Sequence, residues 1–173
     1  LHGQAHQKDA SAAAIRFLSE PLQAAGICVV HILALELRLP SNCTGDEQQH
    51  TTRHLAHSLL RWHRDYAPLV IDIPQFSAHT QARNIHAALG AAPGALWDRA
   101  DALVVLRYDI VLQMPLFSWG SSTLVPDVRA WSKVVFAGAC PEPWWRSYNC
   151  TADVLHIVPR RHFRAFRDLI GAV

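Results

Sequence analysis

The stretch Gly26–Leu37, GICVVHILALEL, decides how the chain is read. From Ile27 to Leu37 it runs almost unbroken in Ile, Val and Leu, with His31 and Glu36 as the interruptions. A strand with one wet face alternates apolar and polar residues, whereas one covered on both faces does not, so the run predicts a buried strand of the kind found in parallel sheets. It is far shorter than the roughly 20 residues that span a bilayer. Upstream, Ala13, Ile15, Phe17, Leu18, Leu22 and Ala25 recur at roughly helical spacing within Asp9–Ala25, and Gly26 stands where the residue after a helix end belongs. Pro21 is expected to kink this helix or split it in two.

The same alternation continues downstream. Pro40, Ser41, Asn42 and Gly45 form a turn-rich stretch before a helix predicted over Glu47–Tyr66, with Leu55, Leu59, Trp62 and Tyr66 along one face. Ala67–Phe76 reads as a short buried strand and Ala78–Leu89 as a helix closed by Gly90. Ala102–Leu112 reads as an apolar strand carrying Arg107 and Asp109 near its far end. Lys133–Ala139 and Val154–Val158 are further strand candidates, and Pro159 leads into a helix over Arg160–Ile170. Strands separated by helices imply right-handed crossovers and a mostly parallel sheet. The fold expected is therefore α/β, a Rossmann-like three-layer sandwich around a mostly parallel central sheet. Residues 1–173 read as one domain without internal repeats, and the start at Leu1 suggests a piece of a longer chain, with any signal or membrane anchor lying upstream.

Composition narrows the class. Half the residues are apolar and 17% are charged, below the roughly 25% of an average globular protein, so much of the chain belongs to an interior. The net charge of +2 comes from 16 basic and 14 acidic residues, mostly interspersed apart from Arg160, Arg161, Arg164 and Arg167, which is too little for a nucleic-acid footprint. Asn42-Cys43-Thr44 and Asn149-Cys150-Thr151 are N-glycosylation sequons, and Cys28, Cys43, Cys140 and Cys150 are an even number compatible with disulfides. Together they favour a glycoprotein of the secretory pathway, in the Golgi lumen or outside the cell. The alternative is a cytosolic protein with Cys28 buried in its strand and the other thiols free.

In open α/β sheets ligands bind beyond the carboxyl ends of strands, which singles out Arg107-Tyr108-Asp109. Strand alternation would put Arg107 and Asp109 on one face, as a pair able to hold a phosphate and a metal, or as a structural ion pair. Arg160, Arg161 and His162 open the last helix, where backbone N–H groups also favour anions; a solvated basic face is the alternative. His50, His54 and His57 fall at i, i+4 and i+7 of one helix, with His63 further on. They could present imidazoles to zinc, as in a metal-dependent hydrolase, or simply be a polar surface. No His-Glu-x-x-His, Gly-x-Ser-x-Gly or Gly-rich phosphate loop is present in the sequence. Trp144 and Trp145 could stack on a sugar ring or plug the edge of a core.

The segment DALVVLRYDIVLQMPLFSW, Asp101–Trp119, resembles glycosyltransferase-like proteins in which a hydrophobic strand ends in Arg-x-Asp, followed by apolar residues and Trp. PLQAAGICVVHIL, Pro21–Leu33, is similar to their early helix-to-strand unit, and CTADVLHIVPRRHFRAF, Cys150–Phe166, to their Asp-containing strand with a following Pro and basic helix. The resemblance implies the A-type nucleotide-sugar transferase architecture and a nucleotide-sugar donor with a glycan or protein acceptor. In the better-known enzymes an Asp-x-Asp holds a divalent ion on the leaving diphosphate. Here Arg107 replaces the first Asp, so Mn2+ or Mg2+ on Asp109 and a metal-free route through Arg107 both stay open. Asp109 and Asp153 are the implied catalytic residues, with Asp109 also the metal ligand and Asp153 a general base or acceptor contact. Arg107, Trp119, Arg160 and Arg161 are the expected substrate-binding residues. A non-catalytic nucleotide- or carbohydrate-binding domain that kept the fold and lost the metal motif is the competing expectation.

Overall fold

The computed structural model describes residues 2–35, 57–64, 69–72, 81–107, 110–119, 124–136 and 155–171. Helix α1 (His2–Ala14) runs into a π-helical turn (Ile15–Ser19) and then α2 (Glu20–Ala24), with all the junction residues in helical conformation. Pro21 has no N–H to donate and its ring crowds the carbonyl of Phe17 one turn back, which accounts for a widened turn at this place. The helix ends as the sequence suggests. Gly26 takes φ 78°, its N–H bonds to Gln23 O at 2.8 Å, and Ile27 N–H reaches back to Leu22 O at 3.0 Å. That is a Schellman ending, and Leu22 and Ile27 join the same apolar cluster beside it.

The run after Gly26 is a strand only in part. Among the described residues, 27–31 belong to no strand, and β1 covers Ile32–Leu35. Cys28 and Val30 are exposed, while Ile27 and Val29 are half-buried against the core, so the segment has one covered side rather than the two expected. Helical residues 57–63 (α3) precede β2 (Leu69–Asp72), which pairs with β1 in parallel from Ile32↔Leu69 to Leu35↔Asp72. This one β-α-β unit matches the expected alternation.

The second sheet does not. After α4 (Gln81–Ala91) and α5 (Gly94–Arg99) come β3 (Ala102–Leu106), β4 (Val135–Phe136) and β5 (Leu155–Pro159), ordered β3-β5-β4, with both neighbours antiparallel to β5. The α/β, Rossmann-like three-layer sandwich with a mostly parallel central sheet is thereby corrected. Among the described residues the sheets are small and separate, and the larger one is antiparallel. The described stretches between β3 and β4 hold two short 3-10 turns, Leu116–Ser118 and Val128–Ala130, where a crossover helix was to be expected. The last helix, α6 (Phe163–Gly171), follows β5 through a third such turn, Arg160–His162.

Packing explains why these strands looked parallel. Every residue of β5 is buried. Leu155 and Ile157 face a cluster with Leu18, Leu22, Leu116, Leu124, Val128 and Trp131, joined by Ala102, Val104 and Leu106 of β3. Val158 faces the other way, onto Leu89 and Phe166, joined by Leu103 and Val105. The central strand of a small antiparallel sheet covered on both faces has the same unbroken apolar run as a parallel strand. Trp131 closes the first cluster with its indole N–H donating to Val125 O at 2.7 Å, so its burial leaves no polar atom stranded. Trp97 meets Phe163 edge-on at 5.7 Å over the second.

Candidate functional site

β3 leaves the sheet where β5 enters it, because Leu106 is paired with Leu155. Arg107 is the first residue beyond that pair and is half-buried. The backbone N–H of Ile110 donates to Arg107 O at 3.3 Å, so the chain turns here. The expected strand over Ala102–Leu112 stops at Leu106, and strand alternation does not set the relation of Arg107 to Asp109. Asp109 and Asp153 lie outside the described residues, as do His50, His54, Trp144, Trp145, both sequons and Cys43, Cys140 and Cys150.

The other residues expected at the substrate are placed elsewhere. Trp119 packs against the core cluster and gives its indole N–H to Met114 O at 3.0 Å, which makes it a brace for the loop after β3. Arg160 and Arg161 sit at the opposite end of the sheet, where Pro159 pairs with Ala102. Arg160 donates from its backbone to Asp101 O at 2.9 Å and from its guanidinium to Asp98 O at 2.8 Å, while Arg161 reaches Trp131 O at 3.1 Å. Asp101 and Arg107 are six strand steps apart, about 20 Å at the usual rise. The backbones of Arg107 and of the Arg160–Arg161 pair are thus too far apart to hold one diphosphate from the same side.

A second polar constellation, Ser19, His31 and His63, lies within the described residues and matches no motif in the sequence. Ser19, the last residue of the π turn, places Oγ 2.8 Å from Nε2 of His31, and Nδ1 of His31 meets Nδ1 of His63 at the end of α3. The imidazole centroids are 4.5 Å apart with planes tilted by 50°. Ser19 is 1% exposed and His63 6%, and His31 is half-buried. Burial pushes His31 down to about 4, with the charge of His63 adding to the shift, and burial likewise holds His63 below its ordinary value. Both rings are neutral at pH 7. Ser19 is too enclosed to serve as a nucleophile toward a bound carbonyl, although its bond to His31 has the form of a serine–histidine pair.

Two signals in the sequence pointed to this cluster. His31 interrupts an apolar run, and a polar group in such a setting needs a partner. His63 falls four residues after Leu59, on the side of α3 where Leu59 is 1% exposed, whereas His57 is exposed.

Among the described residues no group of three or more His, Cys, Asp or Glu side chains is placed to hold a metal ion. Mn2+ or Mg2+ needs carboxylate oxygens. At the β3–β5 end those would come from Asp109 and Asp153, while the described residue there, Arg107, brings a cation that itself suits a diphosphate. No helix among the described residues is long and apolar enough to cross a membrane. No protein-family model, curated protein or solved structure matches the chain.

Proposed function

We propose that the chain transfers a sugar from a nucleotide-sugar donor to a glycan or protein acceptor, using the end of the sheet where β3 leaves and β5 enters. The observation that carries this reading is the antiparallel pair Leu106↔Leu155. It sets Arg107, which follows β3, at the end of the sheet where β5 begins, the strand that Asp153-Val154 precedes in the sequence. In a parallel arrangement of these strands the two would be attached to opposite ends.

Arg107 neutralises the diphosphate as the bond from the sugar's anomeric carbon to the diphosphate oxygen breaks and its electron pair departs with that oxygen. Asp153 accepts the proton of the acceptor hydroxyl as the new bond to the anomeric carbon forms. Asp109 contacts the donor sugar or its phosphate. A Mn2+ or Mg2+ ion on Asp109 would supply further neutralisation of the leaving group. The two sequons and the even cysteine count support a lumenal or extracellular setting, in which Asn42 and Asn149 carry glycans.

Calorimetric titration with uridine and guanosine diphosphates, with and without Mn2+, tests the reading. One of them is expected to bind, with Asp109→Ala weakening it tenfold or more. Absence of binding to either would overturn the proposal. Binding without turnover of any nucleotide sugar would favour a non-catalytic binding domain, the second reading, which the replacement of the usual first Asp by Arg107 favours.

A further inference from the structure

The Ser19–His31–His63 cluster takes no part in the sugar transfer proposed above. We propose that His31 and His63 form a two-imidazole site for a borderline-soft divalent cation such as Zn2+ or Cu2+, with Ser19 as the positioning residue.

Three separate segments converge on it: the π turn, the stretch before β1 and the end of α3. The Nδ1 atoms of the two rings face each other. A neutral imidazole carries one N–H and one lone pair. Ser19 Oγ can accept the N–H of His31 Nε2, which leaves the Nδ1 lone pair of His31 directed at His63. A partner on the second ring nitrogen is how metal-ligating histidines are usually held, fixing tautomer and ring plane. Two lone pairs aimed at one point repel unless a proton or a cation lies between them.

Geometry and chemistry select the kind of cation. Two nitrogens on one tetrahedral zinc stand roughly 3.3 Å apart, which a slight parting of rings whose centroids are 4.5 Å apart would reach. Imidazole suits Zn2+ and Cu2+ rather than Mg2+ or Ca2+, and Cu2+ should bind more tightly than Zn2+. Water would complete the coordination shell, so the site is one for exchangeable rather than permanently held metal. It differs from the His50-His54-His57 face considered from sequence, since His57 is exposed and makes no part of it.

The test is titration of the intact chain with Zn2+ at about pH 7.5, followed by Co2+, whose visible absorption reports nitrogen ligation without any variant. One equivalent of saturable Zn2+ binding is expected. His31→Gln and His63→Gln should each weaken it at least tenfold, Ser19→Ala roughly tenfold by loss of ring positioning, and His57→Gln should leave it unchanged. A wild-type chain that takes up no stoichiometric Zn2+ and gives no Co2+ spectrum would overturn the proposal and leave an imidazole–imidazole hydrogen bond. Equal loss in His57→Gln would overturn it as well, by moving the metal to the helix surface.

Discussion

His31 is the residue at which several constraints meet. It interrupts an apolar run, is held by Ser19 on one nitrogen and faces His63 on the other. Its ordinary value of 6.5 falls to about 4 in the folded chain. Below pH 6.5 the unfolded chain therefore takes up a proton that the folded chain refuses, so folding stability is complete above that pH and is lost as pH falls toward 4. After discounting for partial exposure the loss is on the order of 2 kcal/mol. Urea unfolding across this window should show the decline, and His31→Gln should flatten it; an equal slope in the variant would remove His31 as its source. That His31 needed a partner was legible from its apolar neighbours. Which partner it has was not, because His63 lies 32 residues away and a contact that distant leaves no periodic trace.

Elements whose cause is local were the most legible. Gly26 ends its helix in the left-handed conformation, φ 78°, with open space where a Cβ would stand. Gly26→Ala should accordingly cost about 1 kcal/mol through backbone conformation alone, read as a lowered melting temperature. Trp131, 2% exposed, is a larger test of the loop that closes the core: Trp131→Phe removes the donor to Val125 O and should cost roughly 1–3 kcal/mol. A neutral substitution would show that the indole N–H is replaced by water. Strand direction was not legible. The apolar sequence of β5 reports cover on both faces and carries no sign of which way its neighbours run. The missing helical pattern between Leu112 and Lys133 was the available hint that the described stretches between β3 and β4 hold short 3-10 turns rather than a crossover helix.

At the scale of the molecule, the antiparallel sheet rearranges the candidate site. A parallel sheet would have gathered the carboxyl ends of its strands at one edge, bringing Arg107 and the start of α6 together as a single anion site. The observed sheet instead joins Arg107 to the entry of β5 and sends Arg160 and Arg161 to the other end, where they bind carbonyls of Asp98 and Trp131. The hydrophobic interior depends on β5 in the same way. Ile157 is fully buried at the centre of the sheet, and Ile157→Ala should cost about 2–5 kcal/mol in urea unfolding. A cost below 1 kcal/mol would mean that β5 is not the central strand.

The most direct measurement of where the molecule works is a uridine and guanosine diphosphate titration of Arg107→Gln beside Arg160→Gln, each checked for an unchanged melting profile. Arg107→Gln is expected to weaken binding tenfold or more, and Arg160→Gln to leave it near the wild-type value. Loss in Arg160→Gln with Arg107→Gln unaffected would place the anion site at the other end of the sheet and contradict this expectation.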